Sequence, residues 1–296
     1  MFNGEELSYA QTHVEELFSA LLESAGVRIK IKREDENHPF ISGNKWWKLK
    51  YNLEEAEKFG HKKLLTFGGA YSNHIYATAA AANELGFESI GIIRGEETLP
   101  LNETLAFAKE KGMQLHCVTR EDYRKKTEPD FQKKLTDLFG DFYLIPEGGT
   151  NELAVKGVAE FANLLSHETE FDYVCLPVGT GGTIAGMISG LDTNKKIIGF
   201  PALKGAQFLE TEILNYTQKQ NWQLVYEYHF GGYAKSTKEL IDFMNEFENV
   251  HKIPLDQIYT AKMMFGTFDL VKQGFFKRGS TIMVLHSGGL QGKSGL

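Results

Sequence analysis

Between Leu64 and Leu285, short apolar runs alternate with helical patterns, and several of the runs end on paired glycines. Leu64–Phe67 leads into Gly68-Gly69, Phe142–Pro146 into Gly148-Gly149, and Tyr173–Val178 into Gly179-Thr180-Gly181-Gly182-Thr183. Thr281–Leu285 leads into His286-Ser287-Gly288-Gly289. Apolar runs this short, bounded by turn residues, read as strands covered on both faces. Strands that alternate with helices pair in parallel, because a parallel connection needs a long crossover. The chain is therefore expected to be α/β with a mainly parallel sheet. The glycine pairs mark the carboxyl ends of the strands, outside which open α/β sheets bind their ligands.

The remaining pattern fills in around those strands. Helices are expected over about Ser8–Glu23, from Lys45 to Phe59, and over Ser72–Leu85, Leu101–Lys111, Tyr123–Phe139, Glu152–Leu165, Thr183–Leu191, Gln207–Lys219 and Ser236–Glu248. Further strands are expected over Val27–Lys32, Ser89–Ile93, Met113–Val118, Lys196–Phe200 and Gln223–His229. At 296 residues there is core for one large or two ordinary domains. No linker composition marks a boundary, so two domains with a tight interface are expected.

Bulk properties narrow the function. A formal charge of −7 argues against nucleic acid or an anionic membrane as the main partner. Met1–Glu6 has neither the basic nor the apolar region of a signal peptide, and no apolar run reaches spanning length. Cys117 and Cys175, far apart in probable strands, read as core residues in a reducing cytoplasm.

Three stretches carry candidate chemistry. In Gly43-Asn44-Lys45-Trp46-Trp47-Lys48, two lysines three apart share one face of a helix start. The helix dipole and burial against the tryptophans both push a lysine toward its neutral, nucleophilic form; the plainer reading is a solvated basic turn. Gly179-Thr180-Gly181-Gly182-Thr183, between a strand and a helix, turns backbone N–H groups and two hydroxyls toward a phosphate. It lacks the lysine of a Walker loop, and Ile184 and Phe200-Pro201 stand where a dinucleotide fingerprint needs glycine and an acid. A monophosphate uncompensated by lysine or metal fits better, against an ordinary strand-to-helix turn. In Gly68-Gly69-Ala70-Tyr71-Ser72-Asn73-His74, Ser72 and Asn73 fall where residues often merely cap a helix. No Gly-x-Ser-x-Gly elbow, metal-spaced histidines or Cys-x-x-Cys pair occurs.

Together with Tyr259-Thr260-x-Lys262 and His286-Ser287-Gly288-Gly289, these stretches occur in an order that closely resembles the 1-aminocyclopropane-1-carboxylate deaminase/D-cysteine desulfhydrase family. The likeness runs from about Arg28 to the C-terminus. It implies the tryptophan-synthase-β fold type, with two open, mainly parallel sheets flanked by helices and pyridoxal 5'-phosphate in the cleft between domains. A large domain of residues 1–50 and 147–296 would carry an inserted smaller one, 51–146, and homodimers are usual. Lys45 would be the Schiff-base lysine, and Asn73 would bond the phenolic oxygen. Gly179, Thr180, Gly181, Gly182 and Thr183 would hold the phosphate, and Thr260 would face the pyridine nitrogen. Ser72, Tyr233 and Tyr259 would line the substrate side as catalytic residues.

A neutral hydroxyl such as Thr260 cannot protonate the ring nitrogen as a carboxylate would, which suits elimination over long-lived carbanions. The family's desulfhydrases carry threonine at the position of Thr260 and its deaminases glutamate, and His286-Ser287 is nearer the desulfhydrase form. The expected activity is α,β-elimination from a small amino acid such as D-cysteine, with Lys45 removing the Cα proton. Opening of the cyclopropane ring to 2-oxobutyrate and ammonia is the alternative, and a non-catalytic nucleotide-binding module the rival from another class. Trp47 and Lys50 depart from the usual arginine and glutamate, which leaves the pocket's shape open.

Overall fold

Strand–helix alternation produces two sheets rather than one. In the computed structural model, residues 7–293 are described; the N-terminal stretch without a leader pattern, Met1–Glu6, lies outside them. The first half runs β1 (Val14–Leu17), α1 (Ala20–Ala25), β2 (Arg28–Lys32), α2 (Asn44–Lys58), β3 (Lys63–Gly69), α3 (Asn73–Leu85), β4 (Glu88–Arg94), α4 (Glu103–Glu110), β5 (Met113–Val118), α5 (Arg120–Arg124), α6 (Pro129–Phe139) and β6 (Tyr143–Ile145). The second half runs α7 (Glu152–Glu168), β7 (Tyr173–Val178), α8 (Gly182–Gly190), β8 (Lys196–Pro201), α9 (Phe208–Leu214), β9 (Trp222–Leu224), α10 (Lys238–His251), α11 (Thr260–Lys272) and β10 (Thr281–Leu285).

One sheet has the order β1-β2-β10-β7-β8-β9, the other β5-β4-β3-β6. All pairs are parallel except β1 with β2, where Val14 faces Lys32. Every residue of β10 is buried, and all of β7 beyond Tyr173, as strands covered by helices on both faces require. Among the described residues no helix is long and apolar enough to cross a membrane. Cys117 and Cys175 are unpaired and lie on strands of different sheets.

Four expectations need correction. The stretch Ser8–Glu23 is not a helix: Val14–Leu17 adds a strand to the sheet edge, and α1 starts only at Ala20, with Ser19 as its cap. Backbone pairing with β2 overrides the helical tendency of the glutamates there. The helix expected over Tyr123–Phe139 breaks over Lys125–Glu128, and Pro129, which disfavours helical backbone before it, opens a new helix. Helix α9 stops at Leu214, and Gln223–His229 keeps a strand only to Leu224 before a 3-10 turn. Helix α11 escaped the sequence reading because its buried residues (Ala261, Met263, Met264, Leu270 and Val271 among them) surround it with little polar stripe.

Close packing of α2, α7 and α8 sets the site. A Cβ on Gly157 would stand 2.0 Å from the Trp47 carbonyl oxygen, and one on Gly186 2.4 Å from Val158. Only glycine permits these approaches, which pack α7 closely against both the lysine-bearing helix α2 and helix α8.

Candidate active site

A cavity of about 840 Å³ opens between the carboxyl ends of the two sheets. From α2 it is lined by Asn44, Lys45 and Lys48, from the β3–α3 turn by Ser72, Asn73 and His74, and from the β7–α8 loop by Gly179, Thr180, Gly181 and Thr183. Tyr233 and Tyr259 close another wall. Of the residues picked out by sequence, Gly182 and Thr260 do not line it.

Asn44 ties the lysine helix to the phosphate-type loop. Its Nδ2 donates to Thr183 Oγ1 at 2.7 Å, while its Oδ1 accepts from Lys45 Nζ at 2.9 Å. Burial lowers the Lys45 amine to about 8, against an opposing pull from the Asp256 carboxylate. The tryptophans contribute nothing to the cavity itself. Trp46 and Trp47 are buried on the other side of α2, donating to the Ser8 carbonyl and to Glu34, and they anchor the helix.

Lys48 points the other way along the cavity. Its Nζ donates to the Gly148 carbonyl and, at 2.9 Å, to Thr150 Oγ1, which pairs with Thr180 Oγ1 at 2.6 Å. A Cβ on Gly182 would lie 3.2 Å from that ammonium. Burial, reinforced by Lys45, drives the Lys48 amine well below its usual range. A lysine from α2 thus stands beside the phosphate-type loop, which has no lysine of its own.

Opposite, Ser72 Oγ accepts from the Ile75 N–H and caps α3, so it serves both the helix and the cavity wall. Asn73 Oδ1 accepts from Gln291 Nε2 at 2.7 Å, which leaves Nδ2 as its outward donor beside Gly289. His74 is buried and neutral, with Nε2 on Thr66 Oγ1; burial and the two lysines lower its pKa. His286 is equally buried and bonds the Pro254 carbonyl, a packing role.

Thr260 is fully buried at the start of α11, and its hydroxyl accepts from the N–H of Asp256, just ahead of the helix, at 2.8 Å. Asp256, which the sequence reading missed, accepts from the Tyr259 and Thr260 N–H groups, and burial raises its carboxyl to about 6. Lys262 donates to the His229 and Gly232 carbonyls at 2.9 and 2.8 Å, fastening the loop that carries Tyr233. The Tyr233 hydroxyl reaches the Tyr71 carbonyl, and its ring stands 6.1 Å from that of Tyr259. Both phenols are pushed up by burial and stay protonated donors.

The donors fit pyridoxal phosphate. A glycine-rich loop at a helix N-terminus meets an ammonium at one end of the cavity, and a softened lysine with an oriented amide stands across from it. A side chain on Gly182 would press on Thr150 and Lys48 in that cradle.

Comparison with known proteins agrees. A family model described as pyridoxal-phosphate dependent enzyme matches residues 6–288. The Thermotoga maritima protein named "Putative 1-aminocyclopropane-1-carboxylate deaminase" is 32% identical over 97% of this chain and 96% of its own length. An Arabidopsis thaliana mitochondrial protein, named bifunctional D-cysteine desulfhydrase/1-aminocyclopropane-1-carboxylate deaminase, is 29% identical over 90% of this chain and 73% of its own. A crystal structure of an ACC deaminase homologue superposes with a TM-score of 0.85 at 27% identity, covering 97% of this chain and 92% of that one. A hydrogen sulfide-producing enzyme of Fusobacterium nucleatum shares the fold at 16% identity and a TM-score of 0.73, covering 98% of each chain. Sequence, fold and cavity agree, and the chain belongs to the pyridoxal-phosphate-dependent enzymes, with relatives named for 1-aminocyclopropane-1-carboxylate deaminase and D-cysteine desulfhydrase activity.

Proposed function

We propose that the protein is a lyase that eliminates a β-substituent from a small amino acid, D-cysteine being the expected substrate type. The observation that carries this reading is the Lys45 amine, lowered to about 8 and facing the Ser72–Asn73 turn, Tyr233 and Tyr259 across one cavity. Bound pyridoxal phosphate supplies the electron sink that makes a Cα proton removable.

The chain's own groups do the rest. Thr180, Thr183, the loop amides and Lys48 would hold the phosphate, and Asn73 Nδ2 would orient the ring. Lys45 would hold the aldehyde until an amino substrate takes its place, and its neutral amine would then accept the Cα proton. Tyr259 and Tyr233, kept protonated by burial, donate toward the substrate side. Cα–H and Cβ–S bonds break, sulfide leaves with the bonding pair, and hydrolysis gives pyruvate and ammonia. A carboxylate is absent from the Thr260 position, which favours elimination over ring opening. The names of the relatives keep 1-aminocyclopropane-1-carboxylate as the second candidate.

The family resemblance supports a cytoplasmic homodimer with residues 51–146 as the smaller inserted domain. Borohydride reduction and peptide mapping should find the pyridoxyl group on Lys45; a label on Lys48 would reassign the site. Keto acid release should be faster from D-cysteine than from the cyclopropane substrate. Turnover of the latter alone would sink the Thr260 argument.

A further inference from the structure

Arg94 ends β4 beside the turn that presents Ser72 and Asn73, and its side chain lines the same cavity as Lys45. Register pairs it with Gly69, and a terminal nitrogen of its guanidinium lies 3.4 Å from where a Cβ on Gly69 would stand. Its Cζ sits 5.7 Å from the centre of the Tyr123 ring. Lys126 approaches that ring too, at 5.0 Å, but its charge is answered by Glu147 at 3.3 Å. The Arg94 side chain makes no hydrogen bond or ion pair among the described residues. The cavity's other acidic lining residue, Glu212 on α9, stands on the far side, next to Gly181 of the phosphate-type loop.

The substrate end of the cavity thus carries an exposed guanidinium whose side chain has no partner, set against an aromatic ring and free to grip a carboxylate, sulfonate or sulfate with two parallel bonds. In the reading above the substrate's amino group would take the place of Lys45 and its α-carboxyl would face the substrate-side Ser72, which leaves Arg94 to the side chain. We propose that, among β-substituted amino acids, Arg94 makes the site favour those whose substituent ends in an anion over D-cysteine itself, whose thiol is mostly neutral at pH 7. This inference rests on the reading of Lys45 as the lysine an amino acid displaces, and it names the substrate class within that reading.

Binding tests it without requiring turnover. α-Methylaspartate and 2-aminoisobutyrate both lack a Cα hydrogen, so neither can be deprotonated there, and they differ in an anionic side chain. Titrated into the cofactor-loaded protein and followed by the absorbance of the bound pyridoxal phosphate, α-methylaspartate should bind at least about tenfold tighter. Arg94→Met should bring the ratio of the two affinities close to one, and Arg94→Lys should keep part of the preference, as a point charge without the fork would. Equal affinities in the parent protein, or a preference that survives Arg94→Met, would overturn the proposal while leaving the elimination reading intact. Failure of both ligands to perturb the cofactor would overturn the assignment of Lys45 and this inference together. Absence of keto acid from D-cysteine with the binding preference present would discard only the elimination.

Discussion

Replacing Lys48 with methionine separates the phosphate from the rest of the cofactor. The Lys48 amine stands against Gly148, Thr150 and Gly182, and among the described residues no carboxylate is paired with it. An anion in the loop would supply the missing charge. A hydrogen bond to a charged group contributes about 1.5–3 kcal/mol, so Lys48→Met should weaken pyridoxal phosphate binding roughly 10- to 150-fold. Pyridoxal, which has no phosphate, should lose little. Affinities of both ligands for parent and variant, read by absorbance or fluorescence titration, form a double cycle whose coupling term isolates the contact between lysine and phosphate. The apoprotein itself should change little in stability, since a buried cation without a counter-charge is neutral or costly to keep. An equal loss for pyridoxal and its phosphate ester would refute the placement of Lys48 at the phosphate end, because the variant would then have damaged the cavity as a whole.

Lys45, lowered to about 8, should capture cofactor at a rate that rises up to pH 8 and levels above it. At pH 7 roughly one amine in ten is then neutral, against fewer than one in a thousand for an unperturbed lysine; stopped-flow absorbance should show that profile, and a rise continuing to pH 10 would contradict it. Asp256, raised from 3.8 to about 6 by burial, binds its proton more tightly folded than unfolded, so its contribution is complete below pH 4 and lost as pH rises through 6. Relative to Asp256→Asn, the parent should lose up to about 3 kcal/mol across that window by urea unfolding, and parallel curves would exclude the effect. Gly43→Ala places a Cβ 1.8 Å from the Ser287 carbonyl oxygen at a φ of +70°, so the start of α2 and the loop after β10 must part. A melting temperature lower by at least about 5 °C, with weakened cofactor binding, is expected, and wild-type behaviour would show that the two segments yield freely.

Much of the architecture was legible because buried parallel strands announce themselves: Tyr173–Val178 and Thr281–Leu285 have no polar face to confuse with a helix. Val14–Leu17 was not, since an edge strand with exposed acids carries the same composition as a helix start and is decided by the neighbouring Arg28–Lys32. The site divided along the same line. Local motifs placed Lys45, the β3–α3 turn and the glycine loop, each of which depends on residues within a few positions of one another. Asp256, Gln291 and Arg94 act on the cavity from segments far away in sequence, and nothing beside them in the chain marks an aspartate, a glutamine or an arginine as special.

The two lysines show why spacing alone does not fix chemistry. Three residues apart on α2, they share a face, yet Lys45 is held by Asn44 while Lys48 is drawn to Gly148 and Thr150. The division is imposed from outside the helix. Thr183 pulls on Asn44 from the first turn of α8, and the turn after β6 receives Lys48. Helix α2 begins at the cavity between the carboxyl ends of the two sheets, and under the proposed reading the two amines would divide aldehyde and phosphate between them. Two buried amines, both lowered by burial and Lys48 further by Lys45, are a poor way to stabilise an empty fold. They become favourable together only when one is consumed by a covalent bond and the other is neutralised by an anion, and pyridoxal phosphate carries both functions on one rigid ring.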